Sequence, residues 1–276
     1  MSRSAWVAAA VVVAAAAVAY PWALSSFPAT GENGAASRDT SAGPLPRTAD
    51  GRPNFQGIWQ VRNRASYDLQ DHAASHGMPA GRSVVEGDEI PYQPWAAKKK
   101  QENFANRQTA DPLASCYMPG VPRIMYMEFS FHIFQTRDHI GITFEWSQVF
   151  RLIYTNGSTP IQGLEFWMGD SRGRWEGDTL VVNVTNHNDR TWFDMAGNFH
   201  SEALRLEERY TLLDADTLQY EVAIDDPKVF TRPWKIRMNM HRHKDMDRIL
   251  EYQCNAEAEE ANGAFERDPR TWYTKP

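Results

Sequence analysis

The sequence predicts a mainly β protein: an antiparallel up-and-down, lipocalin-like barrel carrying one or two short surface helices. Three observations lead there. Short segments of alternating apolar and polar residues follow one another from residue 130 to residue 254, with tight polar turns between them. No stretch between those segments has the length and 3.6-residue period of a helix, which disfavours parallel βαβ units. A run of about nine such strands leaves exposed edges unless it closes on itself, and closure removes them. A two-sheet sandwich is the alternative.

Each element has its own signal. Residues 53–59, Pro-Asn-Phe-Gln-Gly-Ile-Trp, read as the first strand. Residues 63–91 lack periodicity and read as loop. Pro94 suits a first helical turn, and good helix formers follow as far as Arg107, so a surface helix is expected there with Lys98, Lys99 and Lys100 on its solvated face. Residues 112–123 hold Pro112, Pro119, Gly120 and Pro122 and form a rigid, irregular segment around Cys116. Strands are then expected at 130–136 and 139–146, joined by Arg137-Asp138, and at 148–154, which ends at Asn156-Gly157. Residues 172–175 pair with 179–185 across a Glu-Gly-Asp turn. Strands at 203–213 and 217–224 flank Asp214-Ala215-Asp216. Strands at 233–242 and 248–254 are joined by a polar turn at Lys244-Asp245. Leu218, Tyr220, Val222 and Ile224 share one face of their strand. Leu204, Leu206, Tyr210 and Leu212 share one face of theirs, with Glu208 in register among them. A short acidic helix is expected at 256–260, then an aromatic turn at Trp272-Tyr273.

The chain has 276 residues, enough for one domain with a substantial core. Its formal charge of −6 argues against a general nucleic-acid binder, which needs a basic face. Aromatic residues make up 12%, so both inter-strand packing and an aromatic-lined pocket are expected uses. Arg3, the apolar run 5–19 and Ala17-Val18-Ala19 match an export signal. The expected organisation is a signal peptide at 1–24, a flexible linker rich in Ser, Ala, Gly and Pro at 25–50, and a single barrel domain at 51–276, located in the periplasm or secreted. A membrane contact is expected only if the signal is retained uncleaved. In an exported protein, Cys116 and Cys254 are expected to form one disulfide, which chain-entropy arguments value at about 4–5 kcal/mol; two separate buried thiols are the alternative.

Several segments resemble a family of exported bacterial β-rich proteins. They are the opening Asp50-Gly51-Arg52-Pro53 to Gly57-Ile58-Trp59, the run Cys116-Tyr117-Met118-Pro119-Gly120-Val121-Pro122-Arg123, the hairpin Trp175-Glu176-Gly177-Asp178-Thr179-Leu180-Val181-Val182, the run Asn188-Asp189-Arg190-Thr191-Trp192-Phe193-Asp194, His200-Ser201-Glu202, and Glu251-Tyr252-Gln253-Cys254. The resemblance spans nearly the whole chain outside the signal. It implies export and a compact β-rich domain, and it leaves function open.

The best candidate site is the polar stretch that follows the central hairpin. His187 suits general acid–base work, because its unperturbed pKa lies near neutrality. Asp189 or Asp194 would orient its ring. Arg190 would bind a carboxylate or stabilise an oxyanion. Trp192 and Phe193 would line an apolar pocket, and His200 with Glu202 would add a second acid–base pair. The structural alternative is that these groups cap strand ends and tie down a long loop. Arg151 and Glu208 are expected to face inward, either as a structural ion pair or as the floor of a cavity, and Glu145 is a further inward carboxylate. His241-x-His243 and the His72, His76 pair have metal-ligand spacing, but no third ligand is marked, so no metal is expected. No nucleophile elbow, phosphate-cradling loop or dinucleotide fingerprint is present, and no cofactor is expected. Two functions fit: acid–base chemistry of lyase, isomerase or hydrolase type on a small, partly apolar organic molecule, or non-catalytic binding of such a molecule.

Overall fold

A computed structural model describes residues 44–261 apart from His76. The expected signal, most of the expected linker and the Trp272-Tyr273 turn lie outside the described residues. The end of the expected linker belongs to the domain: Arg47 bridges to Pro53 and makes a two-pronged pair with Asp178 at 2.9 Å.

Among the described residues, nine strands close into one barrel: β1 (Gly57–Val61), β2 (Phe131–Gln135), β3 (His139–Phe144), β4 (Phe150–Tyr154), β5 (Asp170–Glu176), β6 (Thr179–Thr185), β7 (Arg205–Leu212), β8 (Thr217–Asp225) and β9 (Trp234–Arg242). Neighbours run antiparallel everywhere except β4 and β5, which pair in parallel through Ile153 with Ser171 and Tyr154 with Arg172. A ring with an odd number of strands cannot alternate all the way round, so one parallel pair is a condition of closure. Its connection, residues 155–169, runs back along the barrel, as a parallel crossover must.

The first strand begins later than the sequence predicts, because residues 53–56 are held by side chains: Phe55 N donates to Gln135 Oε1, and Trp59 Nε1 donates to Phe55 O. Arg242 on β9 lies over the Trp59 ring at 4.2 Å and seals the junction of β9 with β1. That seal leaves no edge for the strand expected at 248–254. Only Tyr252 bridges there, to Trp146, and its ring stacks on the indole at 5.1 Å. The expected helices form as α1 (Pro94–Ala105) and α3 (Cys254–Ala261), with a further turn, α2 (Arg107–Ala110). Cys116 and Cys254 are disulfide-bonded, with Cα atoms 5.5 Å apart.

The period-two pattern decides the interior. Leu206, Glu208, Tyr210 and Leu212 of β7, Leu218, Tyr220, Val222 and Ile224 of β8, and Ile236, Met238 and Met240 of β9 are all buried and share one core. Registers place the two ends of the barrel. Short turns join β2 to β3, β5 to β6 and β7 to β8 at one end. The other end carries the long β1–β2 excursion, the β3–β4 hairpin, and the β6–β7 and β8–β9 loops.

Candidate functional site at the loop-bearing end

β6 ends at Thr185, and Asn186 just beyond it adopts φ +60°, a conformation that Asn tolerates better than most residues. Its side-chain amide donates to the carbonyls of Ile161 and Leu164 at 2.6 and 2.9 Å, clamping the 155–169 crossover over the strand end. His187 follows, fully buried beneath that crossover, with Phe166 bridged to it. Both of its ring nitrogens lack a hydrogen-bond partner. Burial, helped by the neighbouring His200 and Arg151, holds its pKa well below the ordinary value, so the ring is neutral.

Of the other residues of the expected acid–base set, only His200 lies beside His187. Asp189 and Arg190 are exposed, with the Arg190 guanidinium 6.0 Å from the Trp167 ring centroid. Glu202 is exposed and ion-paired with Lys228. His200 is buried, its ring centroid 5.8 Å from that of His187. Its Nδ1 lies 2.9 Å from the Ser201 carbonyl, which can only accept, so Nδ1 carries the proton. Nε2 therefore accepts from the Thr191 hydroxyl at 2.7 Å, and both nitrogens of His200 are committed.

Asp194 orients backbone, not His187. Its carboxylate accepts from Leu69 N at 2.9 Å, Asn198 N at 3.1 Å and Asn198 Nδ2 at 2.5 Å. Burial and nearby Asp68 push its pKa up to about 7. Phe193 packs in the core against His200, Phe230 and Trp234, and Trp192 is half-buried. Arg151 and Glu208 pair in the interior, both essentially unexposed. Ser171 Oγ accepts from Arg151 at 3.0 Å, and Glu208 accepts from Tyr210 and Tyr220 at 3.0 and 2.6 Å. This closed network satisfies two buried charges at once. Glu145 accepts from the backbone N–H groups of Ser130 and Leu250, both at 2.9 Å, and so fastens two chain segments.

A cleft of about 440 Å³ opens beside these groups. Leu113, Met127, Phe129, Trp146 and Met195 supply apolar wall, and Tyr67, Asp111, Arg123 and Glu128 supply polar groups. Arg123 is 2% exposed and spends both terminal nitrogens on Asp111, each at 2.8 Å. Its Nε has no partner, and neither has Nε1 of the buried Trp146. Sequence reasoning missed this site. Arg123 closes the Cys-x-x-Pro-Gly-x-Pro-Arg segment. The residues that meet it in space come from three separate connections, however, and no local spacing joins them.

Among the described residues, no group of three or more His, Cys, Asp or Glu side chains is arranged to hold a metal ion. Nδ1 of His72 lies 2.8 Å from Gln70 O, and His243 Nε2 lies 3.1 Å from Gln60 Oε1. No family model matches the chain, and no curated protein matches it.

Proposed function

We propose that this protein is an exported, non-catalytic binding protein that holds a small, partly apolar molecule in the cleft at the loop-bearing end of its barrel. One observation carries the reading: the cleft is of ligand size, its wall is mainly apolar, and two of its lining residues, Arg123 and Trp146, each hold a buried, unpaired N–H donor. Concave, mostly apolar sites with a few placed polar groups are where small molecules bind. The signal-like N-terminus supports periplasmic or secreted placement, and so does the disulfide, which persists in oxidising compartments. Among the described residues, no helix is long and apolar enough to cross a membrane.

Nile red, a neutral apolar dye, tests the site. Its fluorescence is expected to rise and saturate at one dye per chain. Ala114 lines the cleft and is exposed, so Ala114→Trp should fill the space without disturbing the core. That variant is expected to abolish the dye signal while Tm stays within about 2 °C, since surface substitutions are usually near neutral. Undiminished dye binding by Ala114→Trp would remove the cleft from the account.

Acid–base chemistry at His187 is the second reading. The neutral imidazole with both nitrogens free favours it, as a general base needs an available lone pair. The surface positions of Asp189, Arg190 and Glu202 favour the binding reading instead, because they leave His187 without the partners a proton-transfer site needs.

A further inference from the structure

We infer that the molecule taken by this cleft is neutral and carries a hydrogen-bond acceptor, a carbonyl or ether oxygen, on an aromatic or aliphatic body, with Trp146 Nε1 as the donor that selects it. The inference rests on the cleft being the binding site.

The polar inventory of the cleft supports it. The charged residues among its described lining are Arg107, Arg123, Asp111 and Glu128, two of each sign, so the cleft favours neither an amine nor a carboxylate. The carboxylate acceptors are already taken. Asp111 accepts from both terminal nitrogens of Arg123 and from Leu113 N at 3.0 Å. Glu128 is ion-paired with Arg64 and accepts from the Tyr67 hydroxyl at 2.6 Å. Arg107 donates to the Phe104 carbonyl at 2.9 Å. The buried groups of the lining that lack a partner are both donors. A buried donor without a partner is costly, and a ligand that brings an acceptor relieves that cost, whereas a hydrocarbon of the same shape does not.

The two donors differ in freedom, and only Trp146 can turn its N–H toward a ligand. The Asp111 pair fixes the Arg123 guanidinium. The Trp146 ring is held only by packing, stacked on Tyr252 and edge-on to Phe129 at 5.4 Å. Both nitrogens are covered in the ligand-free protein. Turning the Trp146 ring toward a ligand therefore breaks no hydrogen bond, because that N–H makes none.

Acetanilide and ethylbenzene form the test pair: similar aromatic bodies, with and without a carbonyl. The Trp146 indole N–H resonance is assigned by its disappearance in Trp146→Phe, a variant that keeps an aromatic ring against Tyr252 and loses no existing hydrogen bond. Affinities are read from methionine methyl shifts of Met127 and Met195. Acetanilide is expected to shift the Trp146 N–H saturably and to bind about threefold to tenfold tighter than ethylbenzene, the worth of one net hydrogen bond. Trp146→Phe is expected to remove most of that preference by weakening acetanilide alone. Equal binding of the two probes, or a preference untouched by Trp146→Phe, overturns the inference and leaves the cleft as a plain apolar site. Failure of both probes to bind overturns the site itself.

Discussion

His187 occupies a position that packing alone would not choose for a histidine. A neutral imidazole has one donor and one acceptor, and here neither is used, while each buried unsatisfied group costs about 1–3 kcal/mol. His187→Leu replaces the ring with an apolar side chain of similar volume and removes both penalties. It is expected to raise the unfolding free energy by about 1–2 kcal/mol, read from the urea midpoint at neutral pH. If His187 is the base of an acid–base reaction, the same variant is inactive, a stability–function trade-off. Loss of stability in His187→Leu would instead mean that the imidazole is satisfied in solution, for instance by internal water. The sequence shows why one residue-level pairing was legible and another was not. Glu208 falls on an apolar face by strict alternation, and a carboxylate in a core needs a partner, so its pairing with Arg151 follows. His187 and Asp189 also stand two apart, but the strand has already ended at Thr185, before Asn186 with its left-handed backbone. Period-two reasoning no longer applies there, and Asp189 turns to solvent while His187 turns inward.

Among the elements, the 155–169 crossover is the departure from a simple meander. Alternation reports which residues share a face and says nothing of strand direction, so the parallel pairing of β4 with β5 was hidden. The length of the connection was the available signal, because hairpins need only a few residues and parallel neighbours need a dozen or more. The absent tenth strand was hidden for another reason: residues 248–254 alternate well enough, but closure of β9 onto β1 left them no partner strand. The crossover returns to the barrel through Gly169, at φ +63°. A Cβ there would lie 2.6 Å from Val184 Cγ1 and 2.8 Å from His187 Cε1. Gly157, at the start of the same crossover, has φ +76° with open space around it. Gly157→Ala therefore reports backbone strain alone, about 1 kcal/mol. Gly169→Ala adds a clash with the strand end and is expected to cost at least about 1–3 kcal/mol more, as overpacking typically does. Thermal unfolding of the two variants side by side separates the terms. Equal losses would show that the crossover does not press on His187.

Across the whole molecule, stability as a function of pH is set by buried groups that pull in opposite directions. Asp194 has its pKa raised to about 7 by burial and by Asp68. Between about pH 4 and pH 7 the folded state therefore holds a proton that the unfolded chain has released, and stability falls as pH rises through that window. The displacement from the ordinary carboxylate value corresponds to about 4 kcal/mol. His187 and His200 behave in the opposite sense. Burial lowers both pKa values, so the folded state binds fewer protons than the unfolded chain, and their contribution is complete above about pH 6.5 and lost as pH falls below it. Below about pH 6.5 the terms therefore oppose one another, and between about pH 6.5 and pH 7 the Asp194 term acts with the histidines already neutral. Urea midpoints measured from pH 4.5 to pH 8 on the wild type, Asp194→Asn and His187→Leu distinguish the contributions. Asp194→Asn is expected to be less stable than wild type at pH 5, because an amide nitrogen then faces at least one of the donors from Leu69 and Asn198, yet to lose the decline toward pH 7. His187→Leu should keep that decline and show a shallower loss on the acid side. A wild-type midpoint that stays flat from pH 5 to pH 7, with Asp194→Asn equally flat, would place the Asp194 carboxylate in the ordinary range and make its three hydrogen bonds, not its burial, the dominant influence on its charge.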